Sequence, residues 1–534
     1  MKNNKSFIFF LLLVIILIAS FFRLYKLTLI PPGIYPDEAM NANDAIKALQ
    51  THNFKVFYPD NNGREGLFIN LIALSFKIFG ISLFSFKITS AIIGILTVLG
   101  LYFLAKELFY FYNSNSNSNL SSYIGLTSSF FLAISFWHTN FSRISFRAIL
   151  TPFILVFSFY FLFKGFRNKK IINFIISGIL FGLGFYTYIS FRFAVILLAI
   201  TFILWFFLYK KEGEKKQFLK FTILNLIIIF LVALPIGIYF LKNPYDFVGR
   251  ATPISVFASE KPIYNFLESF ISHLLMFNFS GDKNWRHNFS GSPQLLWPIG
   301  ILFILGIIFS IKELIFSLKD KNYKVFIPHC FLISWFLIML LPGALTFEGI
   351  SHSLRVIGVI PAVYIFSGLS AFKIFEKIKI FYKTKTQKIF LIFIISIFLF
   401  TLAYSEYNKY FNEWAKREEV KDAFSENLVN IGNYLNSLSD EIQKYVIVNA
   451  FDSPLYGISI PAQTPIFIES IKFGKPRAIY LKAEELDKIK TSQNKTVIIP
   501  LYDGKLSSEL EKRFPDGKFE QQNKFWVYKI NYEQ

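Results

Sequence analysis

The feature that leaves this chain the fewest choices is a series of eleven long apolar runs, each closed by polar or charged residues: 6–22, 83–105, 121–138, 148–164, 171–189, 191–209, 219–241, 294–311, 325–342, 353–371 and 388–404. Each is close to the ~20 apolar residues that a helix needs to cross the hydrocarbon layer of a bilayer. Lipid offers the backbone no water, so a spanning segment must close its own hydrogen bonds, as a helix does. Folding in water is no alternative. Of 534 residues 54% are hydrophobic and 68 are Phe, more than the polar residues could cover. The expected fold is a polytopic α-helical membrane protein with about eleven transmembrane helices. The first run follows Lys2 and Lys5 and meets Arg23-Leu24-Tyr25 with no small-x-small cleavage site, so it reads as an uncleaved first helix. The run 67–80 is too short to cross and contains Lys77; it reads as an amphipathic helix lying in the interface.

The net charge of +21 invites a nucleic-acid reading that its distribution removes. Residues 405–534 carry 18 basic and 19 acidic side chains, so the positive excess lies between the apolar runs, where it sets orientation. With the N-terminus cytoplasmic, the cytoplasmic connections hold 22 Lys/Arg against 6 Asp/Glu, and the outside connections 16 against 10. Two long loops, 23–82 and 242–293, then fall outside. The expected division is a transmembrane domain over 1–404 and a soluble extracytoplasmic domain over 405–534. The Lys-, Ile- and Asn-rich composition fits a multi-pass protein of a prokaryotic plasma (inner) membrane. The kind of cation differs as well. Inside, 21 of 22 are Lys; outside, eight of 16 are Arg, namely Arg23, Arg64, Arg143, Arg147, Arg192, Arg250, Arg286 and Arg355. Lys suffices for orientation, whereas the guanidinium fork suits bidentate binding of phosphate or carboxylate. The outer face is therefore expected to meet an anionic ligand.

Beyond the last run the pattern changes. Residues 406–439 look helical and charged. Short β-like runs follow at Tyr445–Asn449, Pro465–Glu469, Thr496–Leu501 and Phe525–Ile530, separated by helical stretches at 482–490 and 506–514. This reads as a small soluble α/β domain. The tract Asn113–Asn119 reads as a linker without chemistry. The single cysteine, Cys330, lies in an apolar run, which excludes disulfides and Cys-built metal sites within one chain.

Chemistry is expected in the outside loops. In the first, Tyr35-Pro36-Asp37-Glu38-Ala39 opens a helical stretch, with Pro36 at a plausible start. Asp37 and Glu38 could simply complement the helix dipole. Their place beside the first span is also where a lipid-borne substrate presents its headgroup. In Gly63-Arg64-Glu65-Gly66, Arg64 reaches a headgroup and Glu65 holds it, or Arg64 only anchors the interfacial helix. Arg143 and Arg147, four apart, are expected on one helical face at the membrane edge, for phosphate or as interface anchors. Arg192 is a further cation or a turn residue. The second loop holds Trp285, Arg286 and His287 among glycines and polar residues, a composition that suits carbohydrate but also any solvated loop. His352 and Arg355, three apart, lead into the tenth span, where ionisable residues are costly unless they work. No HxH or HExxH spacing appears, so no protein-built metal site is expected; a divalent ion held by Asp37 and phosphate stays open.

Together these segments resemble the GT-C glycosyltransferases, and among them the protein O-mannosyltransferase and aminoarabinose-transferase-like group. The likeness rests on the Asp37-Glu38 pair after the first span and on Gly63-Arg64-Glu65-Gly66 running into 67–80. It rests also on His352-Ser353-Leu354-Arg355 followed by Pro361-Ala362. It covers most of residues 1–372. The resemblance implies a sugar donor on a polyprenyl phosphate, an inverting transfer at the outer face, and no nucleotide sugar. Asp37 would be the general base and Glu38 its helper. Arg64, Arg143, Arg147, Arg192 and Arg355 would hold the leaving phosphate. Glu65, Trp285, Arg286, His287 and His352 would contact sugar or acceptor, and the acceptor is a lipid, protein or glycan. The rivals are a ligase or polymerase acting on lipid-linked oligosaccharide, and a transporter or flippase. Transport would require ionisable groups at the bilayer midplane, and here the charges cluster at span ends.

Overall fold

The computed structural model describes residues 2–110, 119–208, 212–448, 459–491, 495–501 and 504–531. The chain opens with α1 (Lys2–Leu24), then α2 (Pro36–Thr51), a short hairpin of β1 (Phe57–Tyr58) and β2 (Arg64–Glu65), and α3 (Leu67–Phe79). There follow α4 (Leu83–Leu108), α5 (Leu120–Ile134), α6 (Phe136–Arg143), α7 (Leu150–Asn168), α8 (Ile171–Gly184), α9 (Ala194–Phe206) and α10 (Glu212–Lys242). The second long loop carries α11 (Pro244–Val248) and α12 (Pro262–Leu275), and leads to α13 (Trp297–Lys319), α14 (Tyr323–Ala344), α15 (Ile360–Lys379) and α16 (Lys385–Tyr407). Each of the eleven apolar runs is helical over most of its described length. Among the described residues nine helices are long and apolar enough to cross a membrane, or ten if the bent pair α5–α6 is one span. The expected count of about eleven is reduced at 171–189. There α8 stops after 14 residues at Gly184, where the chain turns and Thr187 Oγ1 donates to the Gly184 carbonyl at 2.6 Å.

The third run is one apolar stretch in sequence but two helices in space, bent by 60° at Ser135. A break inside lipid is tolerated only where the freed backbone groups find partners. Here they do. Ser135 Oγ accepts from the His138 N–H at 3.2 Å, and Glu406 Oε2 from the Phe136 N–H at 3.1 Å. Arg23 donates to the Ala133 carbonyl at 2.8 Å, to that of Leu132 at 3.2 Å, and meets His138 Nδ1 at 2.7 Å. Beyond the bend α6 packs on α4 and α1, and the chain just after it is tied to α2 through the Ser145 backbone.

α3 buries Phe68, Ile69, Ile72 and Phe76 and leaves Leu74, Ile78 and Phe79 exposed, so one apolar face packs inside and another stays uncovered. After α16 a π-helical turn, Asn408–Glu413, crosses over α6, and then come α17 (Glu418–Ala423), α18 (Glu426–Ser437), β3 (Gln443–Val448), α19 (Gln463–Phe473), β4 (Ile479–Lys482), β5 (Thr496–Leu501), α20 (Gly504–Arg513), β6 (Lys518–Gln522) and β7 (Phe525–Ile530). The sheet order is β4-β3-β5-β7-β6, parallel through β4, β3 and β5 and antiparallel at β7 and β6. Alternate residues point to opposite faces. Val446, Val448, Val497 and Ile499 pack with α18, while Ile447, Ile498 and Tyr528 pack with Leu506 and Leu510 of α20.

One expected strand is a helix. Pro465–Glu469 lies inside α19, whose residues Gln463–Ser470 are all buried. A short run buried on every side has no periodicity to distinguish the two, and Pro465 in the first turn is compatible with a helix. Residue 482–490, expected helical, is a 3-10 segment over Ala483–Lys488. The last residue of the expected strand 445–449, and residues 113–118 of the expected linker, lie outside the described residues.

Candidate active site

The first loop folds into a bracket whose parts are set by strand alternation. Neighbours on β2 face opposite ways. Arg64 turns towards α2, where it donates to Asn41 Oδ1 at 3.0 Å, to the Asp60 carbonyl at 3.2 Å and to the Asp44 carboxylate. It is buried, with most of its donors used. Glu65 turns the other way and accepts from Arg147 Nε at 2.8 Å. The hairpin turn places Asn61, Asn62 and Gly63 at positive φ, and Gly63 at +84° has the Phe57 ring where a side chain would start. Asn61 Nδ2 donates to Asp37 Oδ1 at 2.9 Å, which orients a carboxylate that is otherwise half-exposed in the first turn of α2. Glu38 is different. It is buried, and its Oε2 accepts from the Ser145 N–H at 2.9 Å. Burial pushes its carboxyl up from the usual range against the opposing pull of Lys87.

The expected shared face of Arg143 and Arg147 does not form. α6 ends at Arg143, and Ile144 is extended with φ −93° and ψ 142°. Glu38 and Asn41 draw the Ser145 backbone towards α2, with Asn41 Nδ2 donating to the Ser145 carbonyl at 3.2 Å. A 3-10 turn then starts at Arg147. The two guanidiniums therefore diverge. Arg143 is buried in a fan of carbonyls from Phe22, Tyr25, Lys26 and Ile30 at 2.7–3.3 Å. Arg147 lies at Glu65 and 5.4 Å from the Tyr188 ring centroid. His352 and Arg355 likewise sit in an irregular loop, not on a helical face.

Around Tyr188 the arginines gather. Arg147 Nη2 and Arg250 Nη1 donate to the same carbonyl, Gly63, at 3.3 and 3.1 Å, and Arg250 is 6.0 Å from the Tyr188 centroid. Arg355 lies in the electrostatic range of both Arg250 and Tyr188, and donates to Thr346 Oγ1 at 2.7 Å and the Glu348 carbonyl at 2.6 Å. Arg192 feels Glu65 but donates to the Phe247 carbonyl and stacks on the Phe247 ring at 4.1 Å. Among the described residues, the one carboxylate paired within this group is Glu65. Like charges at such spacing repel unless an anion joins them. Arg250 and Tyr188 were not among the expected contacts; the outside preference for Arg over Lys is the signal that marks Arg250.

The second loop closes the other side. Arg286 stacks on the Tyr35 ring at 3.6 Å, two residues before Asp37 in the chain, and its carbonyl accepts from Asn140 Nδ2 at 2.6 Å. Trp285 packs on Phe289 at 5.3 Å, and its carbonyl accepts from Trp414 Nε1 at 3.0 Å. His287 Nδ1 is 3.1 Å from Asp282 Oδ2, and the His287 and His352 ring centroids are 4.8 Å apart. One ligand atom each of Asp282, His287 and His352 lie within 4.8 Å of one another, a set that could hold a metal ion. The expectation of no protein-built site rested on short spacings; these candidate ligands come from two loops, so no short spacing announces them. Burial alone would raise the Asp282 carboxyl, but its hydrogen bond with His287 and the neighbouring His352 bring it below the usual range.

A family model described as dolichyl-phosphate-mannose-protein mannosyltransferase matches residues 67–239. No curated protein matches the chain by sequence. Among solved structures, ArnT from Cupriavidus metallidurans in the apo state superposes with a TM-score of 0.58 at 11% identity, over 99% of this chain and 98% of that one. The same protein bound to undecaprenyl phosphate gives 0.56 at 11%, over 100% and 98%. The archaeal oligosaccharyltransferase AglB from Archaeoglobus fulgidus, in complex with an inhibitory peptide and a dolichol-phosphate, gives 0.54 at 13%, over 100% of this chain and 75% of that one. At these identities the likeness is one of fold.

Proposed function

The chain has the fold of the GT-C glycosyltransferases, and from that premise we propose that it transfers a sugar from a polyprenyl-phosphate-linked donor to an acceptor hydroxyl at the extracytoplasmic face. The observation that carries the reading is the arginine group at Tyr188: Arg147, Arg250 and Arg355, with Glu65 alone in ion-pair contact. Such a group suits a phosphate at the membrane surface, and the carriers in the two complexed structures, undecaprenyl phosphate and dolichol-phosphate, are of that class. The leaving group gains negative charge as the bond to the sugar breaks, and fixed guanidiniums stabilise that charge without rearranging.

Asp37 is the general base. Asn61 fixes one carboxylate oxygen, leaving the other to take the acceptor proton. The acceptor oxygen bonds to the anomeric carbon as the carbon–oxygen bond to phosphate breaks on the opposite face, so configuration inverts. Glu38 is a positioning residue that holds the 143–147 segment to α2 through Ser145. Arg64 and Arg143 act in the same way, as clamps on the first loop. Trp285 and Arg286 contact sugar or acceptor, which is a lipid, protein or glycan.

Release of radiolabelled sugar from polyprenyl-phosphate donors by the purified protein tests this. We expect Asp37→Asn to abolish turnover while donor binding persists, and Arg250→Ala to weaken donor binding. Turnover by Asp37→Asn equal to wild type removes Asp37 from the chemistry. No sugar release from any donor by well-folded protein removes the reading itself.

A further inference from the structure

We infer that Asp282, His287 and His352 form a binding site for a divalent transition-metal ion, and that the ion clips the second loop to the loop that carries Arg355. Three observations point to it. The three side chains can each offer one ligand atom with all three inside 4.8 Å of one another. Metal–ligand bonds of about 2.1 Å place ligands ~3–4 Å apart, so closing the set requires a shift below about 1 Å. Second, His352 Nδ1 is buried and has no hydrogen-bond partner, a costly state for an imidazole nitrogen that a metal or another ligand would relieve. Third, the ring is held by its backbone and not by its own nitrogens. The His352 N–H donates to His273 Nε2 at 3.0 Å, and the neighbouring Ser353 donates to Asp282 Oδ2 from both N–H and Oγ at 2.8 Å. The Asn284 N–H donates to Asp282 Oδ1 at 2.8 Å, which orients the carboxylate.

Two imidazoles and one carboxylate favour Zn2+ or Mn2+ over Mg2+ and Ca2+, which prefer oxygen donors throughout. Three protein ligands leave coordination positions open to water or to an oxygen of a bound molecule. Arg355 follows His352 by three residues and lies in the electrostatic range of Tyr188 and Arg250, so fixing His352 restrains the backbone that carries this guanidinium. This last step, from ion to donor affinity, rests on the proposed function; the metal site does not.

The test uses the full-length protein, stripped with chelator and purified in detergent. Titration with Zn2+ by calorimetry, and with Mn2+ by the resonance of the free ion, should find one ion per chain that a 100-fold excess of Mg2+ does not displace. His352→Ala and Asp282→Asn should weaken it by at least about 100-fold. Should either variant fail to fold, the absorption spectrum of Co2+ bound to wild type decides: a spectrum of mixed nitrogen and oxygen ligation is expected. No stoichiometric binding to wild type, or binding unchanged in folded variants, overturns the site. Donor affinity equal in stripped and loaded protein overturns the link to Arg355. Metal binding without sugar release from any donor would count against the proposed function and leave the site standing.

Discussion

Arg143 and Arg147 have the same side chain four residues apart, yet their surroundings assign them opposite work. The Arg143 guanidinium donates to the Phe22 carbonyl at the end of α1 and to three carbonyls of the α1–α2 connection, so Arg143→Ala would strand buried acceptors. We expect a loss of about 3 kcal/mol or more, read as a lowered unfolding temperature in detergent. Arg147→Lys should leave the unfolding temperature nearly unchanged and weaken donor binding about tenfold or more, because an ammonium cannot reproduce the fork that serves Glu65 and Gly63 together. A reversed pattern would exchange their roles. His273 supplies a pH dependence. Its Nδ1 lies 2.7 Å from the Ser269 carbonyl and its Nε2 accepts the His352 N–H, so the folded protein holds the neutral ring. Burial, with help from Arg355 and against the Ser269 carbonyl and Asp282, lowers its pKa to about 4. Because the folded value lies below that of the unfolded chain, this contribution is complete above ~pH 6.5 and is lost as pH falls towards 4. It amounts to about 3 kcal/mol at most. His273→Gln should flatten the stability profile across that window; a profile identical to wild type would exclude His273.

At the scale of elements, periodicity and length made the membrane helices legible. Most of every apolar run is helix, since lipid leaves the backbone no other partner. What the pattern hid was termination. The Ser135 break is invisible in an unbroken apolar stretch, since the groups that stabilise it, Arg23 and Glu406, are remote in sequence. The same remoteness hid the partners of Arg147. Asp37 and Asn61 are brought together by the hairpin, and Asp282 and His352 by two loops, so neither pair has a spacing to read. α19 was misread because a segment buried on all sides shows no face. The edge strands β4 and β6 escaped notice for the converse reason: their exposed, charged residues blunt the sheet edge and mask the apolar alternation. The hairpin yields its own prediction. Gly63→Ala should cost about 1–2 kcal/mol from its positive φ, with a further cost because its Cβ would meet the buried Phe57 ring, and it should displace the carbonyl shared by Arg147 and Arg250. Weakened donor binding in a titration, together with a lowered unfolding temperature, is the expected signature.

Across the whole molecule, the C-terminal sheet domain is fastened to the first loop. Thr464 Oγ1 donates to the Ile34 carbonyl at 3.0 Å, Asn43 Nδ2 donates to the Gln463 carbonyl and Oε1 at 2.9 Å, and the Phe467 ring packs on Phe76 and Phe86. Phe467→Ala should destabilise the protein by about 3–5 kcal/mol and open the α19–α2 contact to protease. Orientation is tested with the same domain. In a Cys330→Ser background, Lys475→Cys should react with a membrane-impermeant maleimide in intact cells; labelling only after permeabilisation would invert the topology. The shared Gly63 carbonyl has a consequence for turnover. A seat of guanidiniums that grips phosphate makes no distinction between a carrier still bearing its sugar and one already discharged. The spent carrier would then be a competitive inhibitor of its own precursor, and the rate of catalysis in a membrane would follow the ratio of charged to uncharged carrier more closely than the amount of either.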